Sequence, residues 1–433
     1  MNVIKSGKIV LLVTHDYGGA GELVYKISKI FRDQGHEVVM LVKKKTKDED
    51  YIVEFLTTPG KRKSLYTKFL EKTFKRKKKL RLDSKYHFYS KNETHITIEP
   101  EKVISAIGFI PDYIFSGWTA DFMNSSDLLL LQKYTDAQVF TITIDMNHFT
   151  GGCHYAWDCK QYITGGCTEN CPAIVSPFHK ETAKINFETK LKNALEGNFK
   201  IISGSDWVKK QALSSMIYQN QNQILNINSL IDTNIMKPEG KERAKDYFNL
   251  DQNKFYILVG ATYDNELRKG FNYFLESLKI LFNELDSIES SRIIVLMISS
   301  NTNNKRVFEE IPFEIKHLGY IKDYNVLSLL YQAVDVYVNS SIEDSGPMMV
   351  SEALACGTPV VGFDMGIVNS MVITGYNGYR AILKDSKDLA QGIKLIYRLS
   401  PVDYENYSKN AVSQVQKFSS FEYGTSVLQT LFE

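Results

Sequence analysis

SIEDSGPMMVSEALACGTPVVGF, residues 341–363, reads as a loop, a short helix and a buried strand. Pro347 suits the first helical position with Gly346 or Ser345 as cap, and Gly357 and Pro359 end the helix. At about 100° per residue, Val350, Ala353 and Leu354 share one apolar face that should lie on a sheet. Glu352 falls nearly opposite, beside Met348, and is predicted to face away from the core of its own domain. A lone helix glutamate is ordinarily just solvated, so its meaning depends on what surrounds it.

Working outward, strand-like and helical runs alternate on both sides of this stretch. KFYILVGAT, the amphipathic KGFNYFLESLKILFNEL, RIIVLMISS, IKHLGYI, NVLSLLYQAV and VDVYVNSS precede it. An earlier series opens with KIVLLVT, the loop HDYGGAG, a helix through ELVYKISKIFRDQ stopped by Gly35, and HEVVMLV; PDYIFSGW, QVFTITID and FKIISGS follow. Such alternation predicts parallel, doubly wound sheets. Two series of similar size predict two Rossmann-like domains, over 1–228 and 229–402, facing across a cleft. Their join is placed in the polar, turn-rich segment 226–238, and a C-terminal helical segment, 403–433, is expected to pack back on the first domain. Ligands of open parallel sheets sit outside the carboxyl ends of the strands, where loops and helix N-termini converge.

With 433 residues and 43% hydrophobic content the chain can bury real cores. Its 52 Lys and Arg nearly balance 50 Asp and Glu, so overall charge gives no reason to expect nucleic acid. The N-terminal apolar run IVLLV is too short for a signal-peptide core, and no run approaches the length of a membrane span. The expectation is a cytoplasmic protein whose five cysteines are thiols or metal ligands.

Asp344 and Ser345 stand just before this helix, whose first-turn N–H groups favour anions. Arg268 and Lys269, in ELRKGF, follow the first strand of the same domain. Cations and amide donors for phosphates, with a carboxylate for ribose hydroxyls, are the parts a nucleotide diphosphate requires. The segment resembles the glutamate, seven residues, glutamate motif of retaining GT-B glycosyltransferases of family four (group 1 type), and EALACGTPVV at 352–361 matches its continuation. The likeness extends over most of 196–400.

The resemblance implies a GT-B fold and transfer of a sugar from a nucleotide diphosphate to a hydroxyl of a glycan, lipid-linked in the fullest version, for cell-surface polysaccharide. Glu352 would bind the ribose. Asp344 would contact the donor sugar, one methylene shorter than the usual glutamate, with Glu343 as neighbour and possible substitute. Arg268 and Lys269 would hold the phosphates, and Ser345, Gly346, Met348 and Met349 would line the donor site. The chemistry needs no metal. The family's arginine after the domain's first strand is absent, Ala261 and Thr262 standing there. Rival readings are a GT-B-fold sugar-nucleotide epimerase and a non-catalytic nucleotide-binding subunit.

In the first domain, HDYGGAG matches the family's loop near phosphates and acceptor, giving Gly18 and Gly19 a donor role and His15 and Asp16 an acceptor-side role; it fails as a dinucleotide fingerprint. Residues 145–172, DMNHFTGGCHYAWDCKQYITGGCTENCP, resemble an exopolysaccharide and capsule assembly subgroup. Where relatives carry a histidine at the strand end, this chain has Ile144 before Asp145, leaving Asp145, His148 or His154 for that space. Cys153, Cys159, Cys167 and Cys171 lie within nineteen residues; a structural zinc, with His154 as possible replacement ligand, and buried thiols without metal are both open. Residues 60–82 carry eleven Lys or Arg against one Glu, interleaved with Leu65, Phe69, Leu70, Phe74 and Leu80. An anionic membrane surface is the partner expected for this stretch, a solvated or disordered basic loop being the plain alternative and nucleic-acid binding a third.

Overall fold

The computed structural model describes residues 6–56, 80–90, 92–221, 224–260, 266–298 and 310–432. The basic stretch 60–82, apart from its last three residues, lies outside the described residues, as do Ala261 and Thr262. Two units form: Met1–Gly204 with Val208–Asn226 and Leu428–Glu433, and Ser205–Trp207 with Ile227–Val427.

The first unit is built on strands β1 (Lys8–His15), β2 (Glu37–Lys44), β3 (Ile52–Glu54), β4 (Tyr113–Ser116), β5 (Gln138–Thr143), β6 (Lys200–Ser203) and β7 (Leu225–Asn226). They pair in the order β3-β2-β1-β4-β5-β6-β7, every pairing parallel. β1 is wholly buried from Ile9 to Leu12, as expected of a strand with helices on both faces. Chain direction across the sheet reverses between β1 and β4, so the loops after these strands part and leave a crevice at their carboxyl ends.

The second unit repeats the plan with β8 (Phe255–Gly260), β9 (Ile293–Ile298), β10 (Glu314–His317), β11 (Val336–Asn339), β12 (Val360–Phe363) and β13 (Gly378–Ala381). All pairings are parallel in the order β10-β9-β8-β11-β12-β13, and the reversal falls between β8 and β11. Val350, Ala353 and Leu354 are fully buried beneath the 348–355 helix, as the helical spacing required. The helix begins at Met348, however, with Pro347 as its extended N-cap and not its first residue. Gly357 closes it with φ +77°, a left-handed turn that a side chain resists.

At the C-terminus the sequence reading has one segment returning to the first domain. The chain instead forms two helices, Pro401–Phe418 and Phe421–Gln429. Residues through Val427 group with the second unit, where Ala411 and Val415 join its core; only Leu428–Glu433 group with the first. There Phe432 packs on Phe31, His36 and Tyr113 at 5.6, 4.4 and 5.0 Å between ring centroids.

Candidate functional site

In the second unit the loops leaving β8 and β11 are stacked. Gly270 makes this possible: its φ is +63°, and a Cβ there would stand 1.9 Å from the Ser340 carbonyl oxygen. The backbones interlock, Ile342 N–H donating to Arg268 O at 2.7 Å and the Ser340 hydroxyl to Lys269 O at 2.9 Å. Arg268 and Lys269 are therefore delivered onto Asp344. Arg268 Nη1 and Lys269 Nζ both donate to Asp344 Oδ2, at 2.8 and 2.5 Å, while Gly346 N–H donates to Oδ1 at 3.3 Å. Arg268 Nε lies 2.7 Å from Glu266. Burial works against the Asp344 charge, but Lys269 and Arg268 overcome it and hold the carboxyl below its ordinary range.

The three residues expected at the donor phosphates and sugar thus form one cluster at the strand-order reversal, but the cations are already paired. Their charge is shared with Asp344 and Glu266, and a diphosphate would have to compete for it. Lys269 Nζ has three N–H groups, of which Asp344 takes one. Glu343 and Ser345 are buried beside Asp344, and Ser205 Oγ donates to the Ser345 carbonyl at 2.5 Å. Met349 covers the end of β8, its Sδ 2.5 Å from where a Cβ on Gly260 would be.

Glu352 departs from expectation. It is buried, only 4% exposed, and turned inward so that Oε2 accepts from the fully buried Tyr331 hydroxyl at 2.8 Å. Helical phase placed it opposite the core, yet the residues around this helix enclose that face as well. Burial together with the Glu352 charge pushes the Tyr331 phenol far above its usual range, so the hydroxyl keeps its proton and donates. Tyr331 carried no distinguishing signal in the sequence; inside NVLSLLYQAV it reads as ordinary core.

In the first unit, Gly18 has φ +73° and Gly19 is open, with nothing within 4 Å of an added Cβ at either. The glycine that the close approach demands is Gly21, where a Cβ would meet His15 O at 2.3 Å. His15 stacks on Tyr17 at 4.9 Å; burial, then Lys44 and Lys43, lowers its pKa. Asp16, given an acceptor-side role, is fully buried and engaged by its own fold: Thr46 N, Thr46 Oγ1 and Lys47 N each donate to it at 2.7 Å.

Asp145 follows β5 and accepts from His154 Nδ1 at 2.5 Å and from Asn147 N at 2.8 Å. Burial opposes its charge; His154 restores it and keeps the carboxyl below its usual range. Asn147 Nδ2 lies 3.1 Å from Nε2 of His154, and the Trp118 indole nitrogen lies 3.0 Å from Nδ1. His154 is therefore engaged at both ring nitrogens. His148 donates from Nε2 to Gly117 O at 3.0 Å, and burial lowers its pKa to about 4. Beneath them, buried Lys190 donates to Asn147 O and Thr150 O at 2.7 and 3.2 Å and faces Glu93 at 3.6 Å. A cavity of about 300 Å³ opens here, its wall including Tyr89, Asn92, His95, Asp121, Asn124 and His148.

Of the loop cysteines, Cys153 and Cys171 share one buried cluster, with Cys167 packed against it. Among the described residues no three His, Cys, Asp or Glu already stand in a metal-holding arrangement. Nor, among the described residues, is any helix long and apolar enough to cross a membrane.

Two parallel-sheet α/β units, with charged clusters at the strand-order reversal, define a GT-B fold. Residues 240–414, nearly all of the second unit, match the family model of glycosyl transferases group 1. An uncharacterized glycosyltransferase of Haemophilus influenzae is 24% identical over 181 residues, 42% of this chain and 48% of the relative, so the likeness spans about half of that protein. Sucrose-phosphate synthase of Thermosynechococcus elongatus shares the fold at TM-score 0.67 and 15% identity, with 98% of each chain covered. HepE of Anabaena, solved in complex with UDP and glucose, superposes at TM-score 0.65 and 14% identity over 98% of this chain and 99% of its own.

Proposed function

We propose that this protein is a retaining glycosyltransferase that moves a sugar from a nucleotide diphosphate to a hydroxyl of a glycan acceptor. One observation carries the reading: Arg268, Lys269 and Asp344 converge at the carboxyl ends of β8 and β11, where the strand order reverses, inside the segment that matches glycosyl transferases group 1. As the glycosidic bond breaks, the leaving diphosphate gains negative charge. Lys269, Arg268 and the first-turn N–H groups at Met348 and Met349 stabilise it electrostatically. Asp344 holds the two cations side by side and lies next to the donor sugar, and Glu352 fixes the ribose from behind, oriented by Tyr331. Displacement of Asp344 from Lys269 by the diphosphate accompanies binding.

The acceptor belongs to the first unit, where the cavity beside His148 and Tyr89 has a volume of about 300 Å³, the small end of ligand pockets. Neutral His148 and His15 suit a site that receives an acceptor hydroxyl. A lipid-linked glycan at an anionic membrane face, reached through the basic stretch 60–82, completes the proposal and gives it a place in cell-surface polysaccharide synthesis.

The test is a thermal-shift panel of nucleotide diphosphate sugars followed by transfer assays with the donor that binds. Ligand binding raises the melting temperature of the wild type, and Glu352→Gln removes most of that rise. Isomerised donor in the absence of any acceptor would instead mark an epimerase, and tight nucleotide binding with no transfer to any glycan tested would mark a binding subunit.

A further inference from the structure

The cysteine segment raises a question that sugar transfer does not answer. From Asp145 to Glu181 the chain has no α-helix and no ladder strand, only the short turns Asn147–Phe149 and Pro177–His179 and the single bridges Phe88–Cys153 and Leu82–Ile174. Met146, Phe149, Ala156 and Tyr162 are buried along it, but around the cysteines the apolar support is a small cluster of Phe88, Cys153, Cys171, Ala173, Ile174 and Ala183, with Cys167 packed against it. Two of those six buried residues are themselves cysteines, so hydrophobic burial contributes little to holding this part of the segment.

Four of the chain's five cysteines fall within nineteen residues, and the fold brings three of them, Cys153, Cys167 and Cys171, into one packed cluster. Gly151 N–H donates to Cys167 Sγ at 3.2 Å. A buried thiol is a weak acceptor, whereas a metal-bound thiolate gains from each N–H directed at it.

We propose that Cys153, Cys159, Cys167 and Cys171 bind one structural zinc ion that staples the 145–172 segment. Soft thiolate ligands in a closed set of four, with no open position, select zinc and give it a structural role. Cys153, Cys167 and Cys171 pack in one cluster, and Cys159 would complete the set of four. Asp145 and His154 lie at the start of the stapled segment, so the ion also fixes the backbone that presents them. Cys356, buried against Ser328 and Met236 in the second unit, takes no part.

Metal analysis of the full chain, purified reduced without chelator and again after reconstitution with zinc, tests this. About one zinc per chain is expected, retained by Cys356→Ser and lost from Cys153→Ser and Cys171→Ser. Chelation should lower the melting temperature and zinc should restore it. Should the variants fail to fold, cobalt-substituted wild type decides: intense thiolate-to-cobalt absorption with tetrahedral bands supports four sulfur ligands. Absence of zinc after reconstitution, a cobalt spectrum without thiolate bands, or a Cys153–Cys171 disulfide as the stable form of zinc-supplemented protein would overturn the site. None of these readouts depends on sugar transfer.

Discussion

Asp16 and Asp344 each follow a central strand of their sheet and each is buried, yet their charges are balanced by different means. Asp16 is met by neutral donors, two backbone amides and a hydroxyl from Thr46 and Lys47. Asp344 is met by two cations, Arg268 and Lys269, carried from a loop some seventy-five residues earlier. A carboxylate saturated by amides is a clasp: it fastens the 44–47 turn and leaves nothing to exchange. A carboxylate bridging two cations assembles positive charge that another anion can claim. The same residue type, buried in both units, is held by neutral donors in one and by cations in the other.

Substitution at Lys269 tests that contrast most severely. Lys269→Ala is expected to slow transfer by about two to three orders of magnitude, the usual loss for one donor to a developing anion, read as kcat with saturating donor. An unchanged kcat would remove Lys269 from the leaving-group site. Next come the aspartates themselves. Asp344→Asn removes the carboxylate from between two partly buried cations and should cost about 3 kcal/mol of stability, whereas Asp16→Asn should cost about 1 kcal/mol; denaturant unfolding measures both. Each carboxyl has a folded pKa below its ordinary value, so its stabilisation is present above the unfolded pKa of 3.8 and is lost as pH falls through the folded one. Only Asp344→Asn should also alter nucleotide affinity, and an equal effect from Asp16→Asn would break the comparison.

Both sheets were legible in the sequence because strand runs and helical spacing recur in step. The Asp344 cluster was legible through RKG and the stretch 341–363, which a diphosphate-binding argument connects without coordinates. What pairs with what was not. That Arg268 and Lys269 bridge one carboxylate depends on Gly270 letting two loops touch, a contact between residues seventy apart. The direction of Glu352 was read from helical phase, and phase says nothing of a tyrosine arriving from another helix. The strands β3 and β7 escaped notice because two or three residues carry no period, and β13, as long as several strands that were read, because only Gly378 and Ala381 of its four residues are buried. Lys190 and Glu93 look solvated in sequence, and only the fold brings them together in the interior.

His148 sharpens the comparison from the first unit's side. Its folded pKa, about 4, lies below the ordinary 6.5, so the unfolded chain takes up this proton first. Stability is therefore full above pH 6.5 and drains as pH falls towards 4. His148→Gln, which keeps a donor for Gly117 O, should flatten that limb of a stability-against-pH curve. The Asp344 contribution, lost only at lower pH, should remain; a curve unchanged between pH 7 and 5 would show that His148 is solvated.

The smallest expected effects come from the loop glycines, and they separate the two units by geometry alone. Gly270 and Gly18 share a positive φ, +63° and +73°, so alanine strains the backbone at both. At Gly18 that strain is the whole cost, about 1 kcal/mol, because the new methyl meets nothing. At Gly270 the methyl would stand 1.9 Å from the Ser340 carbonyl, so the two loops must part. Gly270→Ala should cost about 2 kcal/mol and, by lifting Arg268 and Lys269 off Asp344, weaken donor binding beyond what lost stability explains. Donor affinity measured well below the melting temperature distinguishes the cases: a fall for Gly270→Ala with no change for Gly18→Ala is expected. Equal affinities in both variants would mean that the stacked loops do not set the cation pair.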